Sequence, residues 1–427
     1  MELMPGYKRS DIGVIPEEWD IRPLLSTVRI ANGQVSPRVE PYKSMVLVAP
    51  DHIESSTGKL LAKKTAAEQG AISGKYVFES GDIVYSKIRP YLRKAILADF
   101  SGLCSADMYP LKPATDISAR YILAVILGYR FSKYAESVSV RSGMPKINRT
   151  ELADFSLAVP LPPEQRAIAK ALSDADELLA TLDQVIAKKR DLKQAAMQQL
   201  LTGEKRLPGF TGNWGLKSFG DLFDFSGGYS ASRDQLSNEG HCYLHYGDIH
   251  GSSKTSVNTR RDFLDIPKLS ISLGRISEGS LLKHGDVVFV DASEDDAGTS
   301  KHLVIENEDD VPFISGLHTI VAKSKANDLA HAYKHYCFQT PAIRQQFMFY
   351  AVGTKVSGIS KTNIAKLTLP IPSFPEQIAI ADVLSSMDAE LIALEARRDK
   401  TDNIKQAMMQ ELLTGKTRLV EPRGANA

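Results

Sequence analysis

The chain is poor in cysteine and has no long apolar run. Only three cysteines occur in 427 residues, Cys104, Cys242 and Cys337. Wide separation and an odd number exclude a disulfide scaffold and suit a reducing compartment. The longest apolar run, Tyr121–Leu127, is far too short to span a bilayer, and Met1–Ser10 has no leader-like apolar stretch. The expected location is therefore cytoplasmic. Net charge is nearly absent as well, with 52 Lys and Arg against 51 Asp and Glu. Taken as an average, that balance argues against a polyanionic partner, a conclusion that holds only if the charge is evenly spread.

Motifs for chemistry are missing too. An amino-group methyltransferase needs a glycine-rich cofactor loop and an Asn/Asp-Pro-Pro-aromatic tetrad, and neither string occurs. Gly415-Lys-Thr417 is not a phosphate-binding loop, because position 410 is Gln and no strand pattern precedes it. His241, Cys242, His245 and His250 cluster, as do His331, His335 and Cys337, but neither group has the paired spacing of a zinc module. No Gly-x-Ser-x-Gly elbow is found. The acidic run Asp291–Asp296 lacks the glycine and terminal glutamate of a calcium loop. The sequence therefore reads as a binder, with no catalytic and no metal-ligating residues assigned.

What the chain does contain is one segment written twice. Phe155–Leu207 recurs at Leu367–Leu419 without a gap, displaced by 212 positions, with about half the positions identical. Each copy reads as a long helix. Pro163 and Pro375 stand in a first turn followed by Glu-Gln, Gly203 and Gly415 supply the stops, and neither Gly nor Pro intervenes. In the second copy Ser373 and Glu376 also have capping-box spacing. A seam with 4-3 spacing runs through Ile168, Leu172, Ala175, Leu179, Leu182 and Ile186, and through Ile380, Leu384, Met387, Leu391 and Leu394. It breaks at Lys188–Arg190 and at Arg397–Lys400 and resumes near Leu200 and Leu412. The polar middle is either a solvated face or stutter, or else a crossing point or docking patch.

These helices organise the chain as residues 1–160, a first domain; 161–205, the first helix; 206–372, a second domain; and 373–427, the second helix with its tail. Both domains mix short strand-like runs, at Gly81–Tyr85 and Gly285–Phe289, with late helices near Ala119–Tyr134 and Leu329–Tyr350. Otherwise their sequences share little, which suggests a constant scaffold carrying two variable readers.

Charge is unevenly spread. Residues 1–153 hold 21 Lys and Arg against 16 Asp and Glu, while residues 208–366 hold 16 against 18. Nine of those acids lie in Asp286–Asp310, so the rest of the second domain is basic. Each domain can present a basic face, and the acidic stretch is expected to point away from a bound polyanion. Candidate DNA contacts in the first domain are Lys87, Arg89, Tyr91, Arg93 and Lys94. Of these, Lys87 and Lys94 suit phosphates, and Arg89 or Arg93 suits a guanine edge. A second basic loop adds Arg141, Lys146, Asn148 and Arg149, and its counterpart supplies Lys355, Ser357 and Lys361. Tyr229, Arg233 and Tyr246 lie in a Gly/Ser/Tyr-rich stretch with the composition of a recognition surface.

The paired PLPPEQRAIAKAL…LLTG and PSFPEQIAIADVL…LLTG helices resemble the two conserved regions of type I restriction–modification specificity subunits. GDIVYSKIRPYLRK and VGTKVSGISKTNI resemble landmarks of their target-recognition domains. The resemblance covers essentially the whole chain, and it implies an α+β fold. Two globular target-recognition domains would be separated by two long helices packed as an antiparallel coiled coil, with internal pseudo-two-fold duplication. It further implies a non-catalytic subunit that reads a bipartite, asymmetric double-stranded DNA target. Two modification (methyltransferase) subunits would dock on the helices, and restriction (translocase/endonuclease) subunits would join them. S-adenosylmethionine, ATP and Mg²⁺ would be used by those partners, with no cofactor in this chain. Two other readings compete: a coiled-coil adaptor without a DNA role, and a self-contained nuclease acting through Asp291–Asp296.

Overall fold

A computed structural model describes residues 5–140, 143–250, 254–293, 300–353 and 357–420. The chain divides into two compact units, one of Met1–Asp183 with Ala396–Ala427 and the other of Gln184–Glu395. Each long helix is cut between them, so each unit owns one domain, the near part of one helix and the far part of the other.

In the first unit the main sheet is ordered Val28–Ile30, Met108–Pro113, Ile83–Ser86, Ala95–Leu97, antiparallel throughout. A smaller sheet pairs Leu47–Val48 in parallel with Gly102–Cys104, and Tyr76–Phe78 antiparallel to the same strand. In the second unit the main sheet runs Phe223–Gly227, Thr319–Ser324, Val287–Val290, His302–Glu306, Ser256–Asn258. Its smaller sheet again contains a parallel pair, His241–Leu244 with Phe313–Ser315. The first four strands of the two main sheets correspond in order and direction. Dissimilar sequences have built the same α+β domain twice, because the alternation of buried and exposed positions specifies a strand without specifying its side chains.

The long helices run Pro162–Leu201 and Phe374–Leu413, 40 residues each. Both end as the glycines require: Gly203 and Gly415 adopt φ of +74° and +70°, a conformation that costs other residues a steric penalty. The Glu376 carboxylate, which its spacing from Ser373 offers to a capping box, is taken instead by Arg206 and Trp214. Each late helix is two helices. Ala119–Leu127 and Tyr129–Val138 meet at Gly128, where a Cβ would lie 3.2 Å from Leu413 Cδ1 and 3.1 Å from two carbonyl oxygens. His331–Cys337 and Pro341–Tyr350 are separated because Thr340 caps the second helix, its hydroxyl accepting from Ile343 N–H, with Pro341 at the first helical position.

Within each unit the helix segments run antiparallel, and the polar middle of the seam is neither empty nor merely solvated. In the first unit Lys405 pairs with Asp176 at 2.5 Å and Arg398 with Asp183 at 3.2 Å. In the second, Lys193 pairs with Asp388 and Lys189 with Glu390 at 2.6 Å. Lys405–Asp176 and Lys193–Asp388 are the same pair displaced by 212. Where the apolar knobs stop, opposite charges continue the seam.

The helix starts are held by a second repeated device. Glu164 and Glu376 are each only 1% exposed at the side chain. Arg418 binds Glu164 through two hydrogen bonds of 2.5 and 2.9 Å, and Arg206 binds Glu376 through two of 2.5 and 2.6 Å. Trp19 and Trp214 donate their indole N–H groups to the same carboxylates at 2.8 and 3.1 Å. The adjacent glutamines dock the domains. Gln165 accepts from Ser118 N–H and donates to the Pro160 carbonyl, and Gln377 accepts from Ala330 N–H and donates to the Pro372 carbonyl.

Two outcomes follow for full-chain denaturation. Arg418→Ala strands a buried carboxylate and should cost about 3 kcal/mol or more, with Arg206→Ala behaving alike in its own unit. Lys405→Asp should destabilise the chain, and adding Asp176→Lys should recover most of the loss; recovery absent in the double variant would remove the pairing from the account of register.

Candidate nucleic-acid interface

The two basic loops of the first domain are brought together. After strand Ile83–Ser86 the chain lies against Pro145–Ile147: Arg89 N–H donates to the Pro145 carbonyl at 2.8 Å, and Ile147 N–H to the Lys87 carbonyl at 2.9 Å. Arg89 and Arg93 bracket a turn, Pro90–Leu92, and both have φ of +46°, a strained value for a residue bearing a Cβ. Arg89 and Tyr91 are exposed, as is Lys146. Lys87 Nζ lies 5.2 Å from the Tyr109 ring centroid, and the Arg149 guanidinium sits 5.8 Å from the same ring. Burial raises the Tyr109 pKa and the Arg149 charge opposes that shift.

Several candidate side chains already have internal work. Lys94 Nζ donates to the Pro50 carbonyl at 2.7 Å. Asn148 caps the helix Arg149–Asp154, its side chain accepting from Glu151 N–H at 2.9 Å while Glu151 accepts from Asn148 N–H at 2.7 Å. Arg149 donates to Asn32 and, at 2.9 Å, to the Ala31 carbonyl. Arg93 Nε, by contrast, is buried without a hydrogen-bond partner. Arg141 and Lys355 lie outside the described residues.

The second domain builds the corresponding face from different residues. Strand Val287–Val290 runs on through Asp291 to Ala292–Ser293, which pairs with Ser357–Gly358. Ile359 N–H donates to the Asp291 carbonyl at 2.8 Å, the bond made by Ile147 and Lys87 in the first domain. Around it gather several candidates and some residues the sequence did not single out. Asp291 Oδ1 is 3.3 Å from His318 Nδ1, whose ring packs edge-on to Tyr246 at 5.5 Å. His250 Nε2 is 2.8 Å from Ser293 Oγ. Exposed Arg233 lies 3.9 Å from Asp248. Burial raises the Asp291 pKa, opposed by the His318 charge, and burial first, then the Arg233 charge, lower that of His245. Tyr229 is set apart, its backbone bonded to Ser315 and to the Tyr243 hydroxyl. Lys361 opens the helix Lys361–Ile364, capped by Ser360.

Of the acids in Asp286–Asp310, Glu294, Asp295 and Asp296 lie outside the described residues. Among the described residues the acids of this stretch are set apart by the strands Val287–Val290 and His302–Glu306. Asp286, at the start of strand Val287–Val290, binds Lys323 at 2.7 Å; Glu308 and Asp309 bind Arg260; Asp291 lies at the far end of that strand. Asp291 occupies the position that Lys87 occupies in the first domain. The sequence signal existed: Gly81-Asp82 and Gly285-Asp286 begin matching strands, and counting five residues onward aligns Lys87 with Asp291.

Two folded copies of one reader-like domain, each presenting the same loops at the same strand ends, define a two-domain recognition protein. The family model described as "Type I restriction modification DNA specificity domain" matches residues 41–188 and 211–405, so the chain belongs to this family of type I restriction–modification specificity subunits. It is 33% identical over 202 residues to the type I restriction enzyme EcoDI specificity subunit of Escherichia coli, a match spanning 46% of this chain and 45% of that one. With the putative MjaX specificity subunit of Methanocaldococcus jannaschii it shares 24% identity over 430 residues, 97% of each chain. A solved chain from a type I restriction–modification system superposes with a TM-score of 0.61 at 16% identity, covering 94% of this chain and 99% of the other.

Proposed function

We propose that each domain reads one half of a bipartite, asymmetric DNA target and that the helix pair fixes the unread spacer between the halves. The observation that carries this reading is the contrast between scaffold and face. The clasps, the helix starts and the Ile147/Ile359 bonds are repeated almost atom for atom, while the side chains displayed beside them differ in kind. A scaffold preserved twice and a surface rewritten twice is what two different half-sites demand of one protein. No helix among the described residues is long and apolar enough to cross a membrane, and the proposed location is the cytoplasm.

On this reading the first domain approaches phosphates with Lys87 and Lys146 and base edges with Arg89. Lys94 and Asn148 hold the loops in shape. In the second domain Asp291, Tyr246, Arg233 and Ser357 form the corresponding face, and a carboxylate there suits an exocyclic amino donor of cytosine. Two methyltransferase subunits dock on the helix pair and bring S-adenosylmethionine-dependent adenine-N6 chemistry to the half-sites. Restriction subunits supply ATP-driven, Mg²⁺-dependent steps. This chain contributes recognition and no catalysis. A helix of 40 residues is about 60 Å long, enough to separate readers of adjacent major grooves.

Co-expression with the modification subunits and genome-wide mapping of N6-methyladenine tests the proposal; absence of a two-part motif would overturn it. Arg89→Ala should relax the first half-site by about 1–3 kcal/mol of discrimination and leave the second unchanged. Equal loss across all sequences would instead make Arg89 a phosphate contact. Matched four-residue insertions, one at Lys188–Arg190 and one between Glu395 and Arg398, should lengthen the preferred spacer with both half-sites intact. They must be matched, because the ion pairs on either side of these points fix the register of both helices.

A further inference from the structure

We propose that Glu306, His331 and His335 form a divalent-metal site of the zinc class within the second domain. One nitrogen from each histidine and one carboxylate oxygen lie within 4.8 Å of one another. His331 and His335 are one helical turn apart on His331–Cys337, so their rings emerge on the same face. Glu306 comes from the end of strand His302–Glu306, 25 residues earlier in the chain. Its Oε1 faces His335 Nε2 at 3.8 Å, while its Oε2 accepts from Asn258 Nδ2 at 2.8 Å. That is the division of labour metal-ligating carboxylates show: one oxygen facing the other ligands, the second oriented by a neighbouring donor. His331 Nδ1 is buried with no hydrogen-bond partner, and the ring stacks on His284 at 4.3 Å.

Two imidazoles and a carboxylate satisfy three positions of a tetrahedral ion and leave the fourth to water or another donor. Bonds of about 2.0–2.1 Å require ligand atoms roughly 3.4 Å apart, so modest side-chain rotations close the site without moving the backbone. Lys334 beside the histidines and Arg261 beside Glu306 are positive, and Asp388 beside His335 offsets them. The ion would tie a strand of the main sheet to the helix whose Tyr336 hydroxyl holds Asp388 at 2.9 Å. It would thus stiffen the recognition face relative to the helix segment of its own unit. The displacement of 212 puts Ala119 and Leu123 at the corresponding positions of the first domain, so the site belongs to the second domain alone.

The test is independent of DNA reading. The full chain, stripped with chelator, is titrated with ZnCl₂ by calorimetry and with Co²⁺ followed by visible absorption. Wild type should bind one equivalent of Zn²⁺, gain several degrees in Tm, and give Co²⁺ bands of four-coordinate intensity. His331→Ala and Glu306→Gln should each weaken binding at least tenfold. Asn258→Ala keeps all three ligands, and should weaken it by about 10-fold or more even if a ligand variant fails to fold. Wild type without stoichiometric Zn²⁺, or ligand variants binding as tightly as wild type, would overturn the proposal.

Discussion

Everything in this molecule depends on a buried carboxylate at the first turn of each long helix. A glutamate with 1% exposure is costly unless its charge is fully matched. Here the matching cation does not come from the same helix. Arg418 lies past the end of the helix that begins near Phe374, and it closes on Glu164 at the start of the other; Arg206 repeats the arrangement on Glu376. An arginine that must reach a carboxylate at the opposite helix start forces antiparallel packing at that end. The tryptophan indoles fill the remaining acceptor capacity and exclude water, which strengthens the charge pair they cover.

From that constraint the domains inherit their placement on the helices. The glutamine beside each clasp glutamate binds the backbone that enters the late helix of its own domain, at Ser118 and at Ala330. Domain position is therefore set by backbone hydrogen bonds to one glutamine side chain, next to a glutamate held by arginine and tryptophan side chains. Nothing in this attachment requires particular residues on the far side of the domain. That freedom lets the sequences of the two domains differ while strand order is kept.

The legible parts of the sequence were those governed by local rules. Helix starts, glycine stops and the duplication by 212 could be read directly, because proline, glycine and spacing act within a few residues. The break of each late helix was also locally encoded, at Gly128 and Thr340-Pro341, but was hidden inside apolar runs. What could not be read required distant partners. The polar middle of the seam looks like a gap until Asp176 meets Lys405 and Asp388 meets Lys193. Asp286 and Asp291 look like members of one acidic run until the strand between them sets them at opposite ends. Two histidines four apart on a helix do not declare a site until Glu306 arrives from a strand of the main sheet.

The opposite charges of Lys87 and Asp291 at one backbone position bear on how such a protein diversifies. If the position served only to hold phosphate, replacing a cation by an acid would repel the duplex, and the acid could persist only where DNA does not come. On the proposed reading Asp291 is not in such a refuge, since its carbonyl makes the same bond to Ile359 that Lys87 makes to Ile147. Its carboxyl is partly buried against His318, which lowers the repulsion it can exert at a distance, and its raised pKa reflects that burial. A screened carboxyl beside a histidine acts over hydrogen-bond range. On the proposed reading, the same loop position serves as a long-range cationic contact in one domain and as a short-range acceptor in the other, with the backbone unchanged.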